Sequence, residues 1–290
     1  MTASIGELSE QVSKIRGEVN YLSTETTVNR RFVGKGEVLK TGTYEPREIN
    51  IHDGRPVRDH FNLDTEGFML LDHRSSVKDF TDRNELDEVY LDEVRGEVQR
   101  ITGADQVVAM GYVVRRSEKP GEVQSQPPGN DVHVDMSATD ARRRFDDAYR
   151  ENFPDGPGYK RALVTSFWRT FSPAPQDWPL AVAQYTSLDD AEGIDTHMVF
   201  VDELPEDPYA DLDTITGGRT AAAGSAFYYS ADHRWWYFPN MNRDEVIFFK
   251  LNDTDTTGPW RVMHSAFKDG TVSVDHKRES VEVRTIAFWE

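Results

Sequence analysis

The stretch Asp131-Val132-His133-Val134-Asp135-Met136-Ser137 lies near the middle of the sequence and has the alternation of a short β-strand. In a strand, successive side chains point to opposite faces, so His133 and Asp135 emerge on the same face. Together they can hold one metal ion, and a third ligand must then come from elsewhere in the chain. Two histidines and one carboxylate on one face of an octahedron leave the other positions open. The alternative is a strand histidine in an ordinary hydrogen bond with a neighbouring carboxylate.

A second candidate stretch begins at His264 and ends at Arg284. Within it, Arg278 and Ser280 are two residues apart and open an alternating, strand-like run, so they fall on one face. A guanidinium and a hydroxyl side by side suit one end of a dicarboxylate, because the planar guanidinium matches carboxylate geometry with two hydrogen bonds. This stretch therefore predicts a binding site for a dicarboxylate.

The same region offers two histidines, His264 and His276, as the third metal ligand. His276 is only two residues before Arg278. An arginine that binds the far carboxylate of a metal-bound ligand must stand a ligand's length away from the metal. His264 meets this requirement, because the polar, glycine-containing residues 268–273 can turn the chain before the next strand begins.

The sequence has 290 residues, no cysteine, a formal net charge of −18 and an isoelectric point near 4.9. Without cysteine, disulfides and thiolate metal sites are excluded, so any metal must use His, Asp or Glu. The acidic balance disfavours nucleic acid and anionic membranes as partners, because both attract basic patches. The first residues lack a signal-peptide pattern, and no apolar run approaches the roughly 20 residues of a membrane span. We therefore expect a cytoplasmic protein.

Apolar residues recur at steps of three and four near the start of the chain, which predicts a helical N-terminal extension over 1–23. This stripe consists of Ile5, Leu8, Val12, Ile15, Val19 and Leu22. Its expected destination is the protein's own core, and the alternative is a helix-to-helix contact in a homodimer. Residues 24–48 are polar and interrupted by glycine and proline, and this pattern predicts an irregular surface segment.

Two more helices are predicted, over 84–101 with Gly103 as the terminating glycine, and from a capping box at Ser137 to about Asn152. The remaining apolar runs predict strands at 49–52, 67–71, 106–114, 162–169, 179–182, 226–229, 234–238, 244–250 and 281–284. The proline- and glycine-rich stretch 117–130 leads into His133 and is a candidate mobile loop. The pattern predicts a mainly β fold with flanking helices, a double-sheet barrel of the jelly-roll or cupin type, in a single domain over 1–290.

Several stretches, taken in order, resemble one family of oxygenases. They are 67–75 (GFMLLDHRS), 102–107 (TGADQV), 114–117 (VRRS), 133–135 (HVD), 167–169 (FWR), 177–181 (DWPLA), 233–239 (HRWWYFP), 244–246 (DEV) and 278–284 (RESVEVR). Over about residues 45 to 290, the sequence resembles the hydroxylase/desaturase family that includes the aspergillic-acid hydroxylase and the cephamycin methoxylation accessory oxygenase.

The resemblance implies a double-stranded β-helix and a dioxygenase that uses Fe(II), 2-oxoglutarate and O₂ to hydroxylate or desaturate a small-molecule natural-product intermediate. It implies that His133, Asp135 and His264 are the catalytic metal ligands, and that Arg278 and Ser280 bind the distal carboxylate of 2-oxoglutarate. Two alternatives remain open. One is a non-catalytic binding or accessory protein for a biosynthetic partner enzyme, and the other is a cupin-type dioxygenase that needs no 2-oxoglutarate.

For the substrate pocket, the sequence offers Trp168, Arg169 and the aromatic residues around Trp236. Arg169 would be the anchor if the substrate carries a carboxylate, because a guanidinium binds a carboxylate with two parallel hydrogen bonds. The alternative for each aromatic residue is ordinary packing in the core.

Overall fold

The computed structural model describes residues 5–117, 125–189, 192–215, 219–272 and 277–290. Strands make up most of its regular structure. They are β1 (Lys14–Leu22), β2 (Asn29–Val33), β3 (Val38–Lys40), β4 (Tyr44–Asp53), β5 (Phe68–Asp72), β6 (Gln106–Arg116), β7 (Ser125–Gln126), β8 (His133–Val134), β9 (Arg161–Thr170), β10 (Leu180–Ala183), β11 (Gly193–Phe200), β12 (Arg219–Phe227), β13 (Trp235–Tyr237), β14 (Glu245–Asp253), β15 (His264–Ala266) and β16 (Glu279–Trp289). The α-helices are α1 (Ile5–Ser9), α2 (Arg83–Glu85), α3 (Leu91–Thr102) and α4 (Ala138–Asn152).

The strands form two sheets. The larger has ten strands in the order β1-β4-β13-β10-β15-β8-β12-β11-β2-β3, and the smaller has six in the order β5-β14-β9-β16-β6-β7. Most neighbouring strands are antiparallel, and the pairs β4–β13, β2–β11 and β6–β7 are parallel. In the middle of the larger sheet β15 pairs with β8, which brings together two strands that are far apart in the sequence.

The six-stranded sheet is covered on both faces, as the side chains of β14 show. Ile247 and Phe249 pack into the main core that it shares with the larger sheet. Val246 and Phe248, which alternate with them, pack into a second core formed with α3. Both faces of a sheet buried in this way require apolar residues at successive positions, which explains the continuous apolar run in this strand.

The second core depends on the predicted helix over 84–101, which the structure confirms. A π-helical turn at Leu86–Tyr90 continues into α3, and Val94 and Val98 of this helix are fully buried. Gly103 ends the helix with a positive φ of 65°, a conformation that favours glycine because it has no Cβ. Helix α4 begins at the predicted cap, where the Ser137 side chain accepts a hydrogen bond from the Asp140 amide.

The prediction of a helical extension over 1–23 is wrong beyond Ser9. Residues 14–22 form β1, which pairs with β4 along its whole length. Within this segment Ile15, Val19 and Tyr21 are separated by even numbers of residues and so also fit the period of a strand, and Val19 and Tyr21 are fully buried. The predicted irregular segment 24–48 is also wrong in large part, because it contains β2, β3 and the start of β4. Sheet pairing overrides the weak local preference of these polar residues.

The apolar residues that suggested a homodimer contact are used within the chain. Ile5 is buried in the main core, and Leu8, Val12 and Ile15 pack against that core. The pattern therefore served the first of the two destinations considered, the protein's own interior.

Candidate metal and co-substrate site

The three predicted metal ligands lie together on one surface of the larger sheet. His133 begins β8, Asp135 follows that strand, and His264 begins β15 directly opposite His133. One ligand atom from each residue lies within 4.8 Å of the others. The strand pairing therefore brings a histidine from the C-terminal part of the chain to the His-x-Asp motif.

Both imidazole rings are oriented by backbone carbonyl groups. Nδ1 of His133 lies 2.6 Å from the Asp131 carbonyl oxygen, and Nδ1 of His264 lies 3.2 Å from that of Val262. Since a carbonyl oxygen only accepts, Nδ1 carries a proton in each ring, and Nε2 is the ring atom available to bind a metal. The Nε2 atoms lie 3.5 Å and 3.3 Å from the Asp135 carboxylate oxygens. A hydrogen bond from Nδ1 to a backbone carbonyl oxygen is typical of metal-binding histidines.

Asp135 is the third member of the cluster. Its Oδ1 accepts a hydrogen bond of 2.8 Å from Nη2 of Arg284, and its Oδ2 is buried without a hydrogen-bond partner among the described residues. Burial alone would raise the pKa of Asp135, but the charge of Arg284 and the contacts with His133 and His264 lower it well below its usual range. An ionised carboxylate oxygen and two Nε2 atoms that converge in this way fit an octahedral metal such as Fe(II).

Arg278 lies in a cavity that also contains the three ligands. We call this the inner cavity; it measures about 350 Å³ including its opening. Its lining residues are Arg115, Gly129, His133, Asp135, Trp168, Leu180, Phe249, His264, Ala266, Arg278 and Glu282. The sequence thus correctly predicted that residues of the His133 and Arg278 stretches would meet.

Arg278 is 1% exposed and is not ion-paired with any carboxylate of the described residues. Its Nη1 donates to the Trp178 carbonyl oxygen at 2.8 Å, while its Nε has no hydrogen-bond partner in the same part of the chain. Burial, together with the nearby charge of Arg115, lowers the pKa of Arg278. A buried cation with an unused donor is costly unless an anion completes it.

Ser280, two residues further along, is also buried with a polar atom unpaired among the described residues. It is 1% exposed, and no described residue gives its Oγ a hydrogen-bond partner. An arginine and a serine that lie on one strand face, each with a donor unpaired among the described residues, fit one carboxylate of 2-oxoglutarate.

Of the three residues predicted for the substrate pocket, the structure places only Trp168 at the site. It lines the inner cavity, with the Arg278 Cζ 5.6 Å from its ring centroid. Arg169 was assigned to the same pocket, but it is the next residue of β9 and therefore points to the opposite face. Trp236 is fully buried against Phe61 and His52. Both predictions are corrected, because neither residue lines the cavities at the ligands.

A second, larger cavity shares His133 and Asp135 with the inner cavity, and the sequence did not predict its other walls. This outer cavity measures about 820 Å³ including its opening. Its lining residues are Arg31, Tyr44, Arg115, Gly129, Asp131, His133, Val134, Asp135, Thr196, Met198, Gly224, Ser225 and Ala226. Several of them lie on β2, β4 and β11, part of which was predicted to be irregular, so their common face could not be deduced.

Two sequence predictions concern residues that the structure describes only in part or not at all. In the proposed mobile loop 117–130, residues 118–124 lie outside the described residues, while Ser125–Gln126 forms β7 and Gly129 lines both cavities. His276 also lies outside the described residues. Its comparison with His264 therefore stays a prediction.

The fold and the site together define the class. Two packed β-sheets hold two histidines and one carboxylate beside a cavity, and the cavity is also lined by a buried arginine whose Nε has no partner among the described residues. This is the arrangement of a non-haem Fe(II) oxygenase with an organic co-substrate. The chain belongs to the family described as the oxidoreductase/YMDC permease-like domain, whose family model matches residues 19–288. No helix among the described residues has both the length and the hydropathy needed to cross a membrane.

Curated relatives agree with this class. The hydroxylase/desaturase CTB9 of Cercospora beticola is 29% identical, over 89% of this chain and 83% of its own. The Fe(II)/2-oxoglutarate-dependent dioxygenase nvfI of Aspergillus novofumigatus is 26% identical, over 87% of both chains. The predicted enzyme class and its cofactors, Fe(II), 2-oxoglutarate and O₂, are confirmed. The narrower resemblance to the aspergillic-acid hydroxylase stays a prediction.

A solved structure shows the same fold. The iron and alpha-ketoglutarate-dependent endoperoxidase NvfI superposes with a TM-score of 0.81, at 24% identity, over 96% of this chain and 98% of that one. The predicted jelly-roll architecture is therefore confirmed.

Proposed function

We propose that this chain is an Fe(II)/2-oxoglutarate-dependent oxygenase that hydroxylates or desaturates a small-molecule natural-product intermediate. The observation that carries this proposal concerns Arg278, whose Nε has no hydrogen-bond partner among the described residues. Arg278 lines the same cavity as the three ligand residues. A metal site alone would suit many reactions. A metal site beside a buried guanidinium whose Nε has no partner among the described residues suits a co-substrate that binds the metal at one end and carries a carboxylate at the other.

In this proposal His133, Asp135 and His264 hold Fe(II), and Arg278 with Ser280 binds the distal carboxylate of 2-oxoglutarate. Fe(II) held there would supply redox chemistry in which O₂ oxidises 2-oxoglutarate to succinate and CO₂ and takes two further electrons from the substrate. The chain's own residues orient and shield the reactants. Trp168, Leu180 and Phe249 form apolar walls of the inner cavity and limit the access of water to the co-substrate.

The substrate is assigned to the outer cavity. His133 and Asp135 line both cavities, so a molecule in the outer one lies against the ligands on the side away from Arg278. Met198 offers an apolar contact there, and Arg31, Tyr44 and Thr196 offer polar ones. A mixed apolar and polar lining is typical of pockets for small molecules. Arg31 replaces the misassigned Arg169 as a candidate anchor for a polar group of the substrate.

The test is succinate formation by the purified protein with Fe(II), ascorbate and 2-oxoglutarate, first alone and then with a panel of natural-product intermediates. We expect slow succinate formation without substrate and a clear increase with a true substrate. Absence of succinate above a metal-free control with every compound would favour an accessory protein. Oxidation of a compound without any need for 2-oxoglutarate would favour a cupin-type dioxygenase. A cytoplasmic location and a homodimer remain predictions from the sequence.

A further inference from the structure

One face of β16 carries polar side chains from the co-substrate end of the inner cavity to the metal end. These polar residues are Arg278, which directly precedes the strand, and Ser280, Glu282 and Arg284 within it. Val281 and Val283 alternate with them and pack into the second core. Arg278 and Glu282 line the inner cavity, and Arg284 reaches Asp135. The period of two thus places the co-substrate residues and a partner of the metal ligand on the same face.

Arg284 holds only one of the two oxygens of Asp135. Its Nη2 donates to Oδ1 at 2.8 Å, and Nε2 of His133 lies 3.5 Å from that oxygen. The closer ligand nitrogen, Nε2 of His264, lies 3.3 Å from Oδ2. A carboxylate that is free to rotate can offer a metal either oxygen or both. A charge-assisted hydrogen bond on Oδ1 removes that freedom and leaves Oδ2 as the oxygen that faces the metal.

Arg284 is itself held in place. Its Nε lies 3.2 Å from Oε1 of Glu282, and that same oxygen accepts a 2.9 Å hydrogen bond from the Ser166 hydroxyl on the neighbouring strand β9. Glu282 is 6% exposed and Ser166 is fully buried. The guanidinium is therefore fixed by a buried hydrogen-bond chain and does not depend on the metal for its position.

We propose that Arg284 is a positioning residue that keeps Asp135 a ligand through Oδ2 alone and so leaves coordination positions open for the co-substrate and O₂. This inference rests on the proposed function, because it assumes that the cluster binds iron. If it is correct, Arg284 controls the number of carboxylate oxygens on the metal. If Arg284 served only stability, its loss would lower the unfolding midpoint without changing the metal site.

The experiment measures metal binding without turnover. The affinity for Mn(II) is determined by titration calorimetry, and the coordination is followed by the visible absorption of the Co(II)-loaded protein. The variants are Arg284→Gln, Arg284→Met and Arg284→Lys. Arg161→Gln is the matched control, because Arg161 forms an ion pair of 2.6 Å with Asp253 on the same sheet but touches no ligand residue.

For Arg284→Gln we expect a Kd for Mn(II) raised about 10- to 100-fold, the range for losing an outer-shell partner, and an altered Co(II) spectrum. Arg284→Met fills a similar volume and decides by the same criterion if the glutamine variant does not fold. Arg284→Lys should recover part of the affinity, because its ammonium can still pair with Oδ1. Arg161→Gln should keep the wild-type Kd and spectrum.

A wild-type Kd and spectrum in Arg284→Gln or Arg284→Met would overturn the inference. A lysine variant as weak as the glutamine variant would also overturn it, because the ion pair would then not be the cause. If the wild-type protein itself binds no Mn(II), the proposed function fails, and that outcome is distinct from failure of the positioning role alone.

Discussion

Two buried arginines lie on opposite faces of the six-stranded sheet, and they differ in whether the protein itself accepts the hydrogen bonds of their guanidinium groups. Arg278 faces the inner cavity and Arg169 faces the second core under α3. Both are at most 1% exposed, and neither is ion-paired with a carboxylate of the described residues. By burial and charge alone they would be equally good candidates for binding an anion.

The hydrogen bonds separate them. Nε of Arg169 donates to the Tyr90 hydroxyl at 2.7 Å, Nη1 donates to the Arg243 carbonyl oxygen at 2.9 Å, and Nη2 contacts the His73 ring. The rings of Phe80 and Tyr90 also lie within about 5 Å of its guanidinium carbon. Nε of Arg278 has no hydrogen-bond partner in the described part of the chain, and the guanidinium lines a cavity. A buried cation thus indicates a ligand site only when its donors are not already used by the protein.

The largest expected effect tests the metal ligands. Arg278 can bind the far carboxylate of a metal-bound co-substrate only if a metal lies at the other end of its cavity. His264→Ala removes one of the three ligands, so we expect loss of Fe(II) binding and of turnover. Metal content after anaerobic reconstitution measures this. His276→Ala is the control and should keep most of both. Iron lost in the His276 variant and kept in the His264 variant would show that the ligand set is wrong.

The next prediction concerns Arg278 itself. Arg278→Gln should leave metal binding nearly intact and weaken 2-oxoglutarate binding by about 2 to 5 kcal/mol, the cost of losing one partner of a buried charge pair. This corresponds to an increase of about 30- to 5,000-fold in Kd. Titration of 2-oxoglutarate into the Mn(II)-loaded variant measures it, and an unchanged affinity would remove Arg278 from the site.

Arg169 should show the opposite pattern. Arg169→Met leaves the Tyr90 hydroxyl and the Arg243 carbonyl oxygen without this donor. We therefore expect a loss of about 2 to 4 kcal/mol in the free energy of unfolding. The Kd for 2-oxoglutarate should stay at the wild-type value. Denaturant unfolding and the same co-substrate titration check both parts. A weaker co-substrate affinity in a folded Arg169 variant would erase the distinction between the two arginines.

A third buried charged group, Glu66, sharpens the comparison, because its burial destabilises the folded state. Glu66 is 6% exposed, one of its oxygens lacks a hydrogen-bond partner among the described residues, and burial raises its pKa to about 7. Because the folded state binds the proton more tightly than the unfolded state, stability falls as the pH rises from the ordinary value of 4.5 through 7.

Glu66→Gln removes this cost. We expect the variant to be more stable than the wild type by roughly 1 to 3 kcal/mol at pH 8, with the advantage shrinking as the pH falls towards 4.5. Denaturant unfolding across this pH range measures the difference. A constant difference at all pH values would mean that the charge of Glu66 is not the cause.

Strand periodicity accounts for what the sequence could predict of the site. His133 with Asp135, and Arg278 with Ser280, are pairs two residues apart, and in each pair both members fall on one face. The same rule, applied to β9, would have excluded Arg169 once Trp168 was assigned to the pocket. Applied to β16, it would have included Glu282 and Arg284, so the signal for these missed residues was present.

Other features depend on long-range pairing and were out of reach. The four-residue spacing of Ile15 and Val19 fits both a helix and a strand, and only the pairing of β1 with β4 decides between them. The outer cavity combines residues from β2, β4, β8, β11 and β12. Their register is set by contacts between distant parts of the chain, which no local pattern records.

The most direct test of the central claim is to measure 2-oxoglutarate binding by anaerobic calorimetry with and without metal. If the three ligand residues and Arg278 hold opposite ends of one molecule, the protein should bind one equivalent of 2-oxoglutarate tightly with Mn(II) or Fe(II) present. Without metal the affinity should fall steeply, because only the Arg278 end remains. Equal affinity in both conditions, or no binding with metal present, would contradict the account.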